Sequence, residues 1–153
     1  EKEMGALADA GVRLKVIGDV TGFAPELQTR IHSAEKATQH NQSITLVVAV
    51  NYGGRWDVLQ AVKQWRRENP AVDVNQLTQA DIDQYLSTSG MPEPDLVIRT
   101  GGEKRVSNFL IWQIAYSELH FSDVLWPDFS SFDLDKALEW FSQRQRRYGA
   151  LSN

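Results

Sequence analysis

The 153-residue chain is 42% hydrophobic and 24% charged, with 16 Lys and Arg against 20 Asp and Glu, for a formal net charge of −4. That balance gives the chain as a whole no nucleic-acid footprint, and the lack of cysteine excludes a disulfide scaffold and any thiolate metal site, which suits a reducing, cytoplasmic setting. No apolar run approaches the roughly 18 residues of a membrane span, and the length suits one domain able to bury a core.

Residues 1–10 read as the last turns of a helix, stopped by Gly11; a start in mid-helix leads us to expect a piece of a longer domain. Val12 to Ile17 reads as a strand closed by Gly18 and Asp19. Pro25 suits a first helical turn, and Leu27, Ile31 and Ala34 carry a helical period through Glu26 to His40. Ile44 to Val50 is an almost unbroken β-branched run, the pattern of a central strand covered on both faces. After Asn51-Tyr52-Gly53-Gly54, a helix is predicted through Val58, Val62 and Trp65, ending near Asn69 and Pro70. Thr78 and Asp81 have the spacing of an acidic capping box. Leu96 to Ile98 forms a third buried strand. Ser107 is placed to cap an apolar helix through Phe109, Leu110, Trp112 and Ile114. A short strand is expected at His120-Phe121, and a last amphipathic helix over Asp133 to Arg147. Strands alternate with helices, so the class is α/β with a mainly parallel central sheet flanked by helices.

Open α/β sheets bind ligands beyond the carboxyl ends of their strands. Two such ends here pair glycines with arginine: Asn51-Tyr52-Gly53-Gly54-Arg55 and Arg99-Thr100-Gly101-Gly102. Glycines let the backbone turn with positive φ and approach a ligand, and a helix start behind the loop offers amide donors to an anion. Arg99 and Arg105 have the forked donors that suit a diphosphate, with Ser107 and the Val106 and Ser107 amides beside them. The same residues also fit a plain tight turn with solvated arginines. Neither a Walker loop nor a G-x-G-x-x-G fingerprint occurs. Asn51 and Arg55 are candidates for a supporting polar role or for turn duty; Glu103 either organises metal or the arginines or is solvated. His32 and His40 read as surface residues, and His120 lacks partners at zinc spacing.

The stretch Asp95 to Phe129, DLVIRTGGEKRVSNFLIWQIAYSELHFSDVLWPDF, resembles the C-terminal signature of bacterial undecaprenyl diphosphate synthases, the cis-prenyltransferases. Asn51 to Asp57 is similar to the family's N-Y-G-G-R stretch, Val12 to Asp19 to its R-L-x-x-I-G-D strand, and Arg147-Tyr148-Gly149 to its R-x-G tail. The resemblance implies the C-terminal portion, residues 1–153, of one cis-prenyltransferase domain. It implies an enzyme that condenses isopentenyl diphosphate with an allylic (farnesyl) diphosphate into the undecaprenyl carrier of cell-wall synthesis. It assigns Arg99, Arg105, Val106 and Ser107 to the isopentenyl diphosphate, Glu118 to Mg²⁺, and Arg147 and Gly149 to a site shared across a homodimer. Membrane association would come only through the lipid product. The family's D-G-N-G-R-W segment, with its principal catalytic aspartate, does not occur in this sequence, so the chain alone is expected to be inactive. The alternative is a non-catalytic subunit of a two-component enzyme. Lys104 stands where histidine is common in relatives.

Overall fold

The computed structural model describes residues 2–145, with side chains from Ala6 onward. The chain divides into two compact units, Glu1–Gly90 and Met91–Asn153. The first runs α1 (Lys2–Asp9), β1 (Val12–Ile17), α2 (Pro25–Thr38), β2 (Ile44–Ala49), α3 (Gly54–Glu68) and α4 (Gln79–Tyr85). The second runs β3 (Leu96–Arg99), β4 (Glu118–Phe121) and α5 (Ser131–Ser142). The class is α/β with parallel pairing, as the alternation of patterns predicted.

In the first unit β1 and β2 pair in parallel, Val12 opposite Ile44 through Ile17 opposite Ala49. Parallel neighbours need a crossover, and α2 supplies it. The outer edge of β1 is closed by side chains of that crossover helix. The Leu14 amide donates to Thr38 Oγ1 at 3.0 Å, and the Val16 amide donates to Glu35 Oε1 at 2.8 Å. A strand edge otherwise left to solvent or to a stray partner is thereby occupied.

Gly18 ends β1 at φ +107°, a conformation costly for L side chains. A Cβ there would stand 2.0 Å from the Val50 carbonyl oxygen, so glycine is required on both counts. The helices bury Ala61, Trp65, Ile82 and Leu86. The predicted Val58–Val62–Trp65 face is rotated by about one position: Asp57, Ala61 and Trp65 face inward, and the two valines are half-buried. The Thr78–Asp81 capping box forms in full, with the Asp81 amide 3.2 Å from Thr78 Oγ1 and the Thr78 amide 2.8 Å from Asp81 Oδ2.

One expectation for this unit needs correction. Ile44 to Val50 was read as a strand covered on both faces, yet Ile44, Leu46 and Val48 are exposed by 63%, 42% and 38%. The described sheet has only two strands here, too few to cover a central one. Its β-branched content is that of a larger sheet.

In the second unit β3 and β4 are parallel, Leu96 opposite Glu118 through Arg99 opposite Phe121. β4 is thus two residues longer at its start than expected. Ser130 and Asp133 form a second capping box, so α5 begins at Ser131 and ends at Ser142 rather than spanning Asp133 to Arg147. Ala137 is its one fully buried residue; Leu134 and Leu138 are 41% and 47% exposed. The helix expected after Ser107 is absent. Residues 107–116 form successive turns, and Ser107, Asn108 and Leu110 adopt φ of +45°, +66° and +45°. Left-handed residues cannot propagate a right-handed helix. A helix apolar all round needs burial on every side. Phe109, Ile111 and Tyr116 are instead 44%, 38% and 59% exposed.

Candidate diphosphate site at the end of the third strand

β3 delivers Arg99 at its carboxyl end, and the chain turns at once through Gly101 (φ +86°) and Gly102 (φ +76°). The space around Gly101 is open, so the left-handed backbone rather than crowding calls for glycine. The two glycine amides are not offered to a ligand. Gly101 N–H donates to the Val124 carbonyl at 2.8 Å and Gly102 N–H to the Ser122 carbonyl at 2.9 Å. These bonds tie the loop to the segment after β4 and fix where its next residues project.

Those next residues return to Arg99. Its Nη1 donates to Ser107 Oγ at 3.0 Å and to the Arg105 carbonyl oxygen. Arg105 in turn forms an ion pair with Glu103. Arg99, Thr100, Arg105, Val106 and Ser107 line a cavity of about 310 Å³ together with the apolar Ile98, Phe109, Leu119 and Phe121. Guanidinium groups and apolar side chains in one lining suit a ligand with an anionic head and a short hydrocarbon body. The Glu103–Arg105 pair is well exposed, 47% and 63%. An incoming anion can therefore compete for the guanidinium at a cost of about 1 kcal/mol or less.

Arg99, Arg105, Val106 and Ser107 are thus brought together, with Glu103 attached to them. Glu118 is not. It sits opposite Leu96 at the start of β4, three positions before Phe121, the partner of Arg99. At about 3.3 Å per residue that places it on the order of 10 Å back along the strand. Side chains alternate across a strand, and the cavity takes Leu119 and Phe121. Glu118 therefore faces the other side, with His120, whose ring lies 5.0 Å from Trp140 of α5. Among the described residues no group of three or more His, Asp or Glu converges as a metal cage.

Asn51 and Arg55 belong to the first unit. Asn51 is a clamp between strand ends: its Nδ2 donates to the Asp19 carbonyl at 3.1 Å, and its carbonyl accepts from the Asp19 amide at 3.3 Å. Asp19 closes its own turn by accepting from the Thr21 hydroxyl and amide, which hold its carboxyl below the usual carboxylate range. Arg55 is exposed in the first turn of α3. Arg147 and Gly149 lie outside the described residues.

Three contributors escaped the sequence reading. Thr100 lines the cavity. Asp123 Oδ1 lies 3.5 Å from where a Gly102 Cβ would stand, placing a carboxylate beside the glycine turn. Asp57, 2% exposed, organises the other glycine stretch. It accepts from the Tyr52 hydroxyl at 2.8 Å and from the Ser87 amide and hydroxyl at 2.9 and 2.6 Å. A buried carboxylate needs such donors, and its place inside the glycine–arginine stretch was the available signal.

Comparison with known proteins shows the family. The prenyltransferase family described as undecaprenyl diphosphate synthase matches residues 1–149. The chain is 51% identical over 153 residues to the ditrans,polycis-undecaprenyl-diphosphate synthase, (2E,6E)-farnesyl-diphosphate specific, of Buchnera aphidicola subsp. Acyrthosiphon pisum, covering 99% of this chain and 61% of that protein. It is 48% identical over 154 residues to the enzyme of the same name from Pectobacterium atrosepticum, again covering 99% of this chain and 61% of that one. The crystal structure of lavandulyl diphosphate synthase from Lavandula x intermedia, in complex with dimethylallyl diphosphate, superposes with a TM-score of 0.89 at 33% identity, covering 96% of this chain and 64% of the other. The chain thus spans about three fifths of the length of the curated relatives it matches. With the loop geometry, the ordered sequence match and the shared fold in agreement, the chain belongs to the undecaprenyl diphosphate synthase family of prenyltransferases.

Proposed function

We propose that this chain is the isopentenyl-binding portion, 1–153 of a single domain, of a cis-prenyltransferase. The enzyme would extend farnesyl diphosphate to a long (Z)-polyprenyl diphosphate. The observation that carries the reading is the convergence of Arg99, Arg105 and Ser107 on one cavity that apolar side chains also line. In the reaction a carbon–carbon bond forms between the allylic carbon and the isopentenyl double bond. The allylic diphosphate leaves, and a proton departs from the adduct to set the cis alkene. Arg99 and Arg105 grip the diphosphate of the incoming isopentenyl unit through charge-assisted hydrogen bonds. That holds its double bond toward the allylic partner, a positioning effect. The apolar lining shields the isoprene body, and the exposed Ile44, Leu46 and Val48 face of β2 suits hydrocarbon contact.

The family's Mg²⁺ would assist departure of the allylic diphosphate by offsetting its charge. Mg²⁺ needs only one or two carboxylates beside substrate phosphates. Glu118, however, does not face the arginine cavity, so its metal role rests on resemblance and no step is assigned to it. The homodimer, with Arg147 and Gly149 reaching a partner, and membrane contact through the product likewise rest on resemblance.

Incorporation of labelled isopentenyl diphosphate into polyprenyl product, assayed in a chain of full family length, tests the reading. Arg99→Ala should raise the KM for isopentenyl diphosphate by about tenfold or more. An unchanged KM removes the assignment. Full-length protein that binds isopentenyl diphosphate yet never condenses it would favour the accessory-subunit alternative.

A further inference from the structure

A second group of cations lies in the first unit. Arg13 and Lys15, at i and i+2 on one face of β1, meet His32 and Lys36, at i and i+4 on α2, with Gln39 at the helix end. Together with Leu14 and Glu35 they line an open groove of about 420 Å³. Among the described residues no ion pair neutralises Arg13, Lys15 or Lys36. The one carboxylate present, Glu35, is committed through Oε1 to the Val16 amide.

Lys36 has a structural reason to be where it is, since the last turn of a helix favours a cation. Arg13 and Lys15 have none, because a strand carries no such dipole. Two like charges side by side on a strand repel, and Lys15 feels it. Burial pushes its ammonium below the ordinary lysine range, the Arg13 charge adds to this, and Glu35 opposes it. An anion seated in the groove would offset that repulsion and favour the charged ammonium.

We infer that the groove between β1 and α2 is a second anion site, fitted to a phosphate or diphosphate group. Arg13 supplies a forked donor, Lys15 and Lys36 supply point charges, and His32 and Gln39 supply further hydrogen-bonding groups at the rim. The groove is open, so it takes a phosphate carried either by a small soluble molecule or by a lipid headgroup. This site does not depend on the reading of the Arg99 cavity.

The test uses the full chain, followed by NMR of the His32 ring and the β1 amides. Inorganic diphosphate should shift these signals saturably. Lys15→Gln combined with Lys36→Gln should weaken the response by about tenfold. Arg99→Ala should leave it unchanged, which separates this site from the loop cavity. Sedimentation with vesicles of phosphatidylcholine containing phosphatidylglycerol forms the second arm. Binding to these that is lost in the double variant, without a soluble response, identifies a headgroup phosphate. If the double variant fails to fold, Lys36→Glu on the exposed helix face replaces it, with the same loss expected. A groove that responds to neither probe, or whose response survives these substitutions, overturns the inference.

Discussion

The polar groups that brace the first unit and those gathered at the loop of the second are used in opposite ways. In the first, Asp57 accepts from Tyr52 and Ser87, and Glu35 and Thr38 close the edge of β1, each bond made inside the unit. In the second, the strongest donors converge at an exposed surface. Among the described residues Arg99 reaches Ser107 and a carbonyl, and Arg105 pairs with a well-exposed Glu103. The first arrangement holds a fold together at fixed geometry. The second would leave cationic capacity to an incoming anion, and is bordered by left-handed residues at Ser107, Asn108 and Leu110. Departures from regular backbone gather at candidate sites because a ligand-binding loop is shaped by its ligand more than by propensity.

That contrast predicts large stability effects in the first unit and small ones at the loop. Gly18→Ala should be the most damaging, about 4 kcal/mol by urea denaturation, since it combines a forbidden φ with a backbone clash. A loss below about 1 kcal/mol would mean that the two strand ends are not locked as described. Asp57→Ala should cost about 3 kcal/mol, because the Ser87 donors and the Tyr52 hydroxyl lose a buried acceptor. An Asp57→Ala chain as stable as the parent would show that this carboxylate is not a structural pin.

A smaller effect appears with pH. The Ser130 hydroxyl and then the Ser130 amide hold the Asp133 carboxyl below the usual carboxylate range. A depressed folded-state pKa stabilises fully above the unfolded value, near 3.9, and that contribution fades as pH falls through the lower folded value. The difference in melting temperature between the parent and Asp133→Asn should therefore be present at neutral pH and shrink below about pH 4. A difference that stays constant into acid would remove the capping explanation. Least of all, Glu103→Gln should change stability by about 0.5 kcal/mol or less, as an exposed ion pair does.

The same contrast marks what could be read from the sequence. Val12 to Ile17, where Arg13 and Lys15 alternate with apolar residues, and the apolar Leu96 to Ile98 announced their strands because they ended at glycine or at an arginine–glycine turn. The Thr78–Asp81 box was legible because a cap is a local device, set by four residues. Ile44 to Ala49 was legible as a strand but not in its surroundings, because composition records the burial a strand is suited to. Residues 107–116 were misread as a helix. Their apolar content resembles one, but an all-apolar helix depends on distant cover that no local pattern encodes. Arg99, Arg105 and Ser107 could be named from their chemistry and the family resemblance. The bond from Arg99 to Ser107 depends on how the glycine turn is tied to Ser122 and Val124, a long-range pairing invisible in the loop itself.

The central claim is that the Arg99 loop is a diphosphate site, and calorimetric titration of the chain with isopentenyl diphosphate tests it most directly. Binding should be saturable and should weaken by about tenfold to a hundredfold in Arg99→Ala, while the unfolding midpoint shifts little. Affinity unchanged by Arg99→Ala, in a protein that still folds, would contradict it.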